Sequence, residues 1–185
     1  VSGALLAGQT VRYWSAWPVA GEAPAGVERA GTPEAADFAL TLTPEGGALH
    51  LVPPIGVLGV GCRRGTTAER LEEAFSAFCA SSGLSPAAVS AAASIDLKKE
   101  EPGLAQFCEA HGWPITFYSA DQLRAVPGQF TPSAFVAGVT GVDNVCERAA
   151  AKASGGALLL PKTAGGGVTL ALAVRPFAPD WRTEQ

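Results

Sequence analysis

The sequence predicts an α/β protein: a three-layer α/β/α domain with a largely parallel or mixed sheet that ends in a C-terminal hairpin, preceded by a small β-rich module. Two observations support this fold class. After residue 54, short apolar segments alternate with segments of helical periodicity, the pattern of strands connected by helices. Residues 1–53 instead contain short apolar runs separated by Pro and Gly. We therefore expect a module over 1–53 and a domain over 54–185.

The individual elements follow from the same patterns. The capping-box form of Thr66-Thr67-Ala68-Glu69 predicts a helix that starts there and ends before Gly83. Further helices are predicted over 103–110, 131–137 and 142–153. The predicted strands cover 9–14, 38–42, 49–52, 55–60, 89–95 and 115–118, and the hairpin pairs 157–160 with 168–174 across a loop at 162–167.

Composition excludes several classes of function. With 48% hydrophobic and 16% charged residues, the chain is expected to fold. A net charge of -4 argues against binding to nucleic acid or to an anionic membrane, and no apolar run approaches the roughly 20 residues of a membrane span. The N-terminus also lacks the charged start and cleavage site of a secretory signal, so we expect a cytoplasmic location. The four cysteines form no CxxC pair and the two histidines lack zinc-like spacing, so we expect reduced thiols and no metal site. Because the chain contains no methionine, we also expect a further N-terminal domain in the parent protein.

The most informative motif is Gly-Val-Gly-Cys-Arg-Arg-Gly-Thr at residues 59–66, between a predicted buried strand and a capped helix. Strand ends and helix N-termini of this kind bind anions, and two arginines add contacts to carboxylate or phosphate. The spacing matches neither a Walker A motif nor a dinucleotide fingerprint. The alternative is a structural turn with solvated arginines.

The motif is similar to the start of the C-terminal domain of CbiG proteins, and later segments agree in order and spacing. These are Ala-Ser-Ile-Asp-Leu-Lys-Lys-Glu-Glu-Pro-Gly-Leu at 93–104, Thr-Gly-Val-Asp-Asn-Val-Cys-Glu at 140–147, and Lys162 followed by 168–173. Residues 11–18 and 49–54 resemble the middle region of the family. No segment resembles the further N-terminal domain that CbiG proteins ordinarily carry.

The resemblance implies a cobalt-precorrin-5A hydrolase of anaerobic cobalamin biosynthesis, which opens the ring-A δ-lactone and releases acetaldehyde to give cobalt-precorrin-5B. Cobalt would arrive within the tetrapyrrole substrate, so no cofactor is expected. Methyltransferases of the same pathway are expected partners. The C-terminal domain also resembles CobE, which leaves a non-catalytic precorrin-binding or carrier role as the alternative.

Ten residues are candidates for substrate binding. They are the loop residues Gly61, Cys62, Arg63, Arg64, Gly65 and Thr66, together with Ser94, Tyr118, Thr140 and Gly141. Cys62, beside two arginines at a helix N-terminus, is expected to have a lowered pKa; it is either a nucleophile or a small loop residue. Tyr118 either donates to a substrate carboxylate or is a half-buried tyrosine at a strand end.

Four residues are candidates for catalysis. Lys98 and Glu101 either face the cleft as cation and general base or form a solvated pair at a helix start. Asp96 either accepts a proton or caps the following turn. Glu147 falls opposite the small apolar stripe of its helix, where exposure is expected from the periodicity alone, whereas the resemblance implies a functional role.

Overall fold

The computed structural model describes residues 1–131 and 144–182 of the chain. The chain forms two compact units. The first unit comprises Val1–Pro53, Gly83–Ala88 and Phe177–Gln185; the second comprises Pro54–Ser82 and Val89–Pro176. No helix within these described residues combines the length and the apolar character that a membrane crossing requires.

The first unit is built on a small parallel sheet of order β2-β1-β3-β4. Two pairs of its aromatic side chains pack edge to face: Tyr13 against Trp181 at 5.0 Å between ring centroids and Trp17 against Phe177 at 5.2 Å. Three of its strands were predicted; β2 was missed because it is short and none of its residues is buried. Its elements are α1 (Ser2–Leu6), β1 (Val11–Ser15), β2 (Val27–Arg29), β3 (Phe38–Leu40) and β4 (Leu49–Leu51).

The second unit contains a mixed sheet of order β7-β6-β5-β9-β8. The first three of these strands are parallel, whereas β9 runs antiparallel to both β5 and β8. This confirms the predicted mixed sheet and its C-terminal hairpin. The strands are β5 (Gly56–Cys62), β6 (Val89–Ile95), β7 (Ile115–Tyr118), β8 (Ala157–Gly165) and β9 (Val168–Val174).

The turn of the hairpin is shorter than the predicted loop at 162–167. Strand β8 continues to Gly165, so only Gly166 and Gly167 separate it from β9. Both glycines have positive φ values, +57° and +85°, as a tight two-residue hairpin turn requires.

Helices cover both faces of this sheet, as predicted for a three-layer domain. On one face, α2 packs against α3 through Phe75 and Phe107, whose ring centroids are 6.0 Å apart. On the other face, Val57 and Ile95 pack against residues of α4 and α5, including Leu123. The helices are α2 (Ala68–Ser82), α3 (Pro102–Ala110), α4 (Ala120–Arg124) and α5 (Val145–Ser154).

Helix α5 lies directly on β5 because Gly59 has no side chain. A Cβ atom at Gly59 would lie 1.8 Å from the carbonyl oxygen of Cys146. After the helix, a Cβ at Gly156 would lie 2.1 Å from the carbonyl oxygen of Val174, which pairs with Gly56 at the start of β5. Helix α5 therefore begins beside the middle of β5 and ends beside its amino end.

Most predicted element bounds agree with the structure. The predicted strands 89–95 and 115–118 coincide with β6 and β7, and the helix 103–110 starts one residue earlier, at Pro102. The helix predicted over 142–153 is observed from Val145 to Ser154 as α5, while its first two residues, 142 and 143, lie outside the described residues, as do 132–137 of the helix predicted over 131–137. The five-residue helix α4 was not predicted; Ser119 caps it by accepting the N–H of Gln122 at 3.2 Å.

Candidate functional site

Three parallel strands end at one edge of the five-stranded sheet, which we call the carboxyl edge. Cys62 ends β5, Ile95 ends β6 and Tyr118 ends β7. Val168, the first residue of β9, pairs with Cys62, so the β8–β9 turn lies at the same edge. Open α/β sheets bind ligands at this edge. Most of the predicted site residues fall in the segments that follow these strands.

The loop after β5 is held by backbone contacts, while its two arginines remain exposed. The N–H of Arg63 donates to the carbonyl of Gly167 at 3.0 Å, and the hydroxyl of Thr66 donates to the carbonyl of Arg63 at 2.8 Å. Gly65 has a φ of +72°, which favours glycine. Within the described residues, the side chains of Arg63 and Arg64 form no hydrogen bond or ion pair. They are therefore available to an anionic ligand.

The first two glycines of the motif, Gly59 and Gly61, allow neighbouring elements to pack closely against β5. Gly59 admits helix α5, as described above, and a Cβ at Gly61 would lie 2.4 Å from the hydroxyl oxygen of Thr169 on β9. Gly61 was predicted to bind substrate, but its position in the sheet accounts for the absence of a side chain. Gly59 was not among the predicted site residues, although its alternation with Gly61 in an apolar strand is typical of a close approach by another element.

The N-terminus of α2 is partly occupied by the protein's own groups. The hydroxyl of Thr67 accepts the N–H of Arg70 at 3.3 Å, so the cap lies one residue later than the predicted Thr66. Hydrogen bonds from its own backbone N–H and from Thr67 lower the pKa of the Glu69 carboxyl. A carboxylate of the chain therefore already lies at this helix terminus, and recognition of an external anion depends more on the arginine side chains.

Lys98 and Glu101 form a largely buried ion pair. The ammonium of Lys98 lies 3.2 Å from Oε1 of Glu101, and the N–H of Gly65 donates to Oε2 at 2.8 Å. The side chains of Lys98 and Glu101 are 17% and 9% exposed, so the alternative of a solvated pair is wrong. The hydrogen bond from Gly65 lowers the pKa of Glu101, and Lys98 and Arg64 add to this effect against the opposing effect of burial. Glu101 therefore links the two loops as a carboxylate.

The segment after β6 places the carboxylate of Asp96 in solvent. Asp96 begins a short 3₁₀ helix and is exposed; its side chain forms no hydrogen bond with the described residues. The next residue, Leu97, is 61% exposed. Ser94, in contrast, is fully buried, and its hydroxyl donates to the carbonyl of Val60 at 2.7 Å. Of these residues, Asp96 and Leu97 are accessible to a ligand, whereas Ser94 joins β6 to β5.

The expected lowering of the Cys62 pKa is wrong. Burial raises the pKa of the Cys62 thiol, and the charge that chiefly opposes this rise belongs to Lys98 rather than to Arg63 or Arg64. The thiol is desolvated at the end of a core strand, and desolvation disfavours the thiolate. Cys62 is therefore a protonated thiol near neutral pH, which is the state of a small loop residue rather than of an activated nucleophile.

Tyr118 is half-buried at the end of β7. Its ring packs against the core cluster on the α5 face, and the ammonium of Lys152 lies 5.3 Å from the ring centroid. Burial raises the pKa of its phenol, which therefore stays protonated and able to donate a hydrogen bond.

Glu147 is buried, so the exposure expected from helical periodicity is wrong. Its relative exposure is 0%. Oε2 accepts the N–H of Thr131 at 2.8 Å, and Oε1 accepts the Thr131 hydroxyl at 2.9 Å and the N–H of Lys162 at 2.6 Å. These donors lie 16 residues before and 15 residues after Glu147 in the sequence, so the periodicity of its own helix could not reveal them. The carboxylate joins three segments of the chain.

Asn144 completes this arrangement and was not singled out in the sequence. Its Oδ1 caps α5 by accepting the N–H of Glu147 at 2.9 Å, while Nδ2 donates to the carbonyl of Thr131 at 2.8 Å. An Asn three residues before a Glu at the start of a helical pattern is an N-cap signal that could have identified it. The candidates Thr140 and Gly141 lie outside the described residues.

The comparisons with known proteins agree with the sequence resemblance. Residues 56–173 match the family described as Cobalamin synthesis G C-terminus. The chain is 36% identical, over 72% of its length, to the cobalt-precorrin-5A hydrolase of Priestia megaterium, and 37% identical, over 67% of its length, to that of Salmonella typhimurium. It spans about a third of each relative, 35% in both cases.

A solved structure is similar to this chain in both sequence and fold. CobE, a protein from the cobalamin biosynthetic pathway, is 35% identical to the chain with a TM-score of 0.59, and the match covers 66% of this chain and 92% of CobE. The family match covers more than half of the chain, and the second unit contains nearly all of it. The chain therefore belongs to the CbiG family of cobalamin synthesis proteins.

Proposed function

We propose that this chain is part of a cobalt-precorrin-5A hydrolase and that its carboxyl edge binds the tetrapyrrole substrate. The observation that supports this proposal most is the exposed pair Arg63 and Arg64, whose side chains form no hydrogen bond or ion pair with the described residues. A cobalt-precorrin carries several peripheral acetate and propionate groups, and guanidinium groups pair with carboxylates in bidentate geometry. The cobalt belongs to the substrate.

The loop contacts favour binding through side chains rather than through the loop amides. The carboxylate of Glu101 already accepts the N–H of Gly65 at 2.8 Å, so this amide is occupied. The same contact fixes the loop that carries both arginines. Leu97, 61% exposed on the neighbouring segment, offers an apolar surface for the macrocycle. We propose that cationic and apolar contacts together hold the substrate at this edge.

We propose Asp96 as the general base of the reaction. The reaction opens the ring-A δ-lactone with water and releases the C-20 carbon and its methyl group as acetaldehyde, giving cobalt-precorrin-5B. A general base must reach solvent or substrate. Asp96 is exposed at the carboxyl edge, whereas Glu101 is paired and Glu147 is buried with its oxygens occupied. The latter two carboxylates are positioning residues in this proposal.

The test is an incubation with cobalt-precorrin-5A, with acetaldehyde followed enzymatically and binding followed by absorption. The chain should be assayed alone and joined to its natural upstream sequence. Asp96→Asn should lower acetaldehyde release by about 100-fold or more without weakening binding, whereas Glu100→Gln, an exposed neighbour, should leave both unchanged. Release that is unaffected by Asp96→Asn would overturn the role of Asp96, and no release from either form would overturn the hydrolase proposal.

A second candidate function is a precorrin-binding or carrier role of the CobE type. The match to 92% of CobE favours it, since CobE has little beyond the region shared with this chain. A carrier would bind cobalt-precorrin-5A in the same absorption assay and leave it unchanged. Binding without acetaldehyde, both for the chain alone and for the chain joined to its upstream sequence, would select this function over the hydrolase.

A further inference from the structure

Strand β8 contains a shift in register at Lys162. Leu160 pairs with Leu172, but the next pair joins Thr163 to Leu170. Two residues of β8, Pro161 and Lys162, therefore lie opposite the single Ala171 of β9, which is the count of a β-bulge. Bulges change the direction of a side chain and are frequent beside active sites.

A buried carboxylate fixes the backbone at this bulge. The N–H of Lys162 donates to Oε1 of Glu147 at 2.6 Å, and Glu147 is fully buried. The N–H of a bulge residue on an edge strand would otherwise point to water. Here it is part of the network that also holds Thr131. The position of Lys162 therefore depends on the first turn of α5.

Lys162 is half-buried on the edge strand β8. Burial raises the pKa of the Cys146 thiol to about 11; a hydrogen bond with Thr169 opposes this rise more than the positive charge of Lys162 does. Cys146 is buried beside Gly59, the central residue of β5. The ammonium of Lys162 forms no hydrogen bond or ion pair with any residue that the structure describes.

We propose that Lys162 binds a peripheral carboxylate of the tetrapyrrole and that Glu147 acts as its positioning residue. This proposal rests on the proposed function and adds a cation on β8 to the arginines after β5. An ammonium without a hydrogen-bond or ion-pair partner among the described residues is available to pair with an anionic ligand. A carboxylate of the substrate is the anion that the proposed function supplies. The bulge and the bond to Glu147 give the cation a fixed place from which to meet it.

The competing explanation is protection of an edge strand. Strand β8 is the last strand of the sheet, and both Pro and Lys on an edge discourage pairing with another chain. Such a lysine does not need a buried carboxylate on its backbone N–H, as Lys162 has in Glu147. The two explanations predict different results for the same substitution, because only the first one affects the affinity for the substrate.

The test compares the affinity of the wild-type chain, Lys162→Met and Arg175→Met for cobalt-precorrin-5A, measured by absorption titration on folded protein. Arg175 follows β9 at the opposite edge of the sheet, where it bonds to Ser90, and controls for the loss of one positive charge. Lys162→Met should bind about tenfold more weakly, with a shallower dependence on salt. Arg175→Met should bind like the wild type.

The outcomes separate the two proposals. Equal affinity of Lys162→Met and the wild type would overturn the role of Lys162 and leave the proposed function intact; aggregation of Lys162→Met at unchanged affinity would select edge protection. No binding by the wild type would overturn both.

A double-mutant cycle with Glu147→Gln tests whether Glu147 positions Lys162. If Glu147 acts through Lys162, the double variant should bind no more weakly than Lys162→Met alone. Additive losses would overturn that role of Glu147.

Discussion

Glu101 accepts the backbone N–H of Gly65 at 2.8 Å across 36 residues of sequence. This bond joins the loop after β5 to the segment after β6, and Lys98 completes it at 3.2 Å from the same carboxylate. The two loops of the carboxyl edge therefore form one connected structure. The stability of these two connected loops should depend on the negative charge of Glu101.

Glu101→Gln should lower the free energy of unfolding by about 1–3 kcal/mol near neutral pH, since it weakens bonds to a largely buried carboxylate. The folded-state pKa of Glu101 is lowered, so its contribution is present above the unfolded pKa of about 4.3 and is lost as the pH falls through the folded pKa. Urea unfolding at neutral and acid pH should show the deficit shrinking in acid. Glu100→Gln, an exposed neighbour, should stay within about 0.5 kcal/mol of the wild type. A deficit of Glu101→Gln that is equal at both pH values would contradict this account.

Gly59→Ala should destabilise the second unit severely. Its Cβ would lie 1.8 Å from the backbone oxygen of Cys146, and a helix backbone cannot yield as the end of a side chain can. We expect a loss of about 3 kcal/mol or more in denaturant unfolding. Gly165→Ala is the matched control, since nothing lies within 4 Å of its added Cβ. Equal stability of the two variants would show that α5 does not pack on β5 as described.

Glu147→Gln should cost about 2–4 kcal/mol of stability, because an amide has one acceptor oxygen where the carboxylate has two for its three donors. The NH₂ group of the glutamine would lie against one of these donors, and that donor would lose its hydrogen-bond acceptor. Glu109→Gln, on the exposed face of α3, should have little effect on the unfolding midpoint. Wild-type stability of Glu147→Gln would mean that the carboxylate is not needed to join these segments.

Cys62 should react slowly with iodoacetamide near neutral pH, because burial raises its pKa and the thiolate is the reactive form. Cys79, Cys108 and Cys146, whose pKa values burial raises to about 11, should be slower still. Mass spectrometry of the native and the unfolded protein, with glutathione as the reference thiol, measures this. Modification of native Cys62 faster than glutathione would restore the nucleophile hypothesis.

Local sequence patterns predicted the second unit well because its strands and helices are separated by clear Gly and Pro signals. Strands β6 and β7 coincide with their predicted bounds. The three-residue strand β2 carries too little pattern to detect, and its parallel pairing with β1 depends on contacts between separate segments. Periodicity describes only the residues of one element, and it therefore failed where partners come from elsewhere in the chain.

In the candidate site, too, local patterns predicted where segments lie but not the contacts that come from elsewhere in the chain. The motif at 59–66 and the segment after β6 were located correctly at the carboxyl edge, since strand order places them there. The state of the individual side chains was not predictable from sequence. Glu147 is buried because Thr131 and Lys162 supply its donors, and the thiol of Cys62 is controlled by desolvation rather than by the adjacent arginines. Neither effect leaves a signal in neighbouring residues.

The measurement that tests the central claim most directly is the affinity of Arg63→Ala/Arg64→Ala for cobalt-precorrin-5A at low and high salt. Both side chains are exposed, so the unfolding midpoint should change little. Binding should weaken by about 10- to 100-fold, and its dependence on salt should become shallower than that of the wild type. Unchanged affinity in a folded double variant would show that the substrate does not bind through this loop.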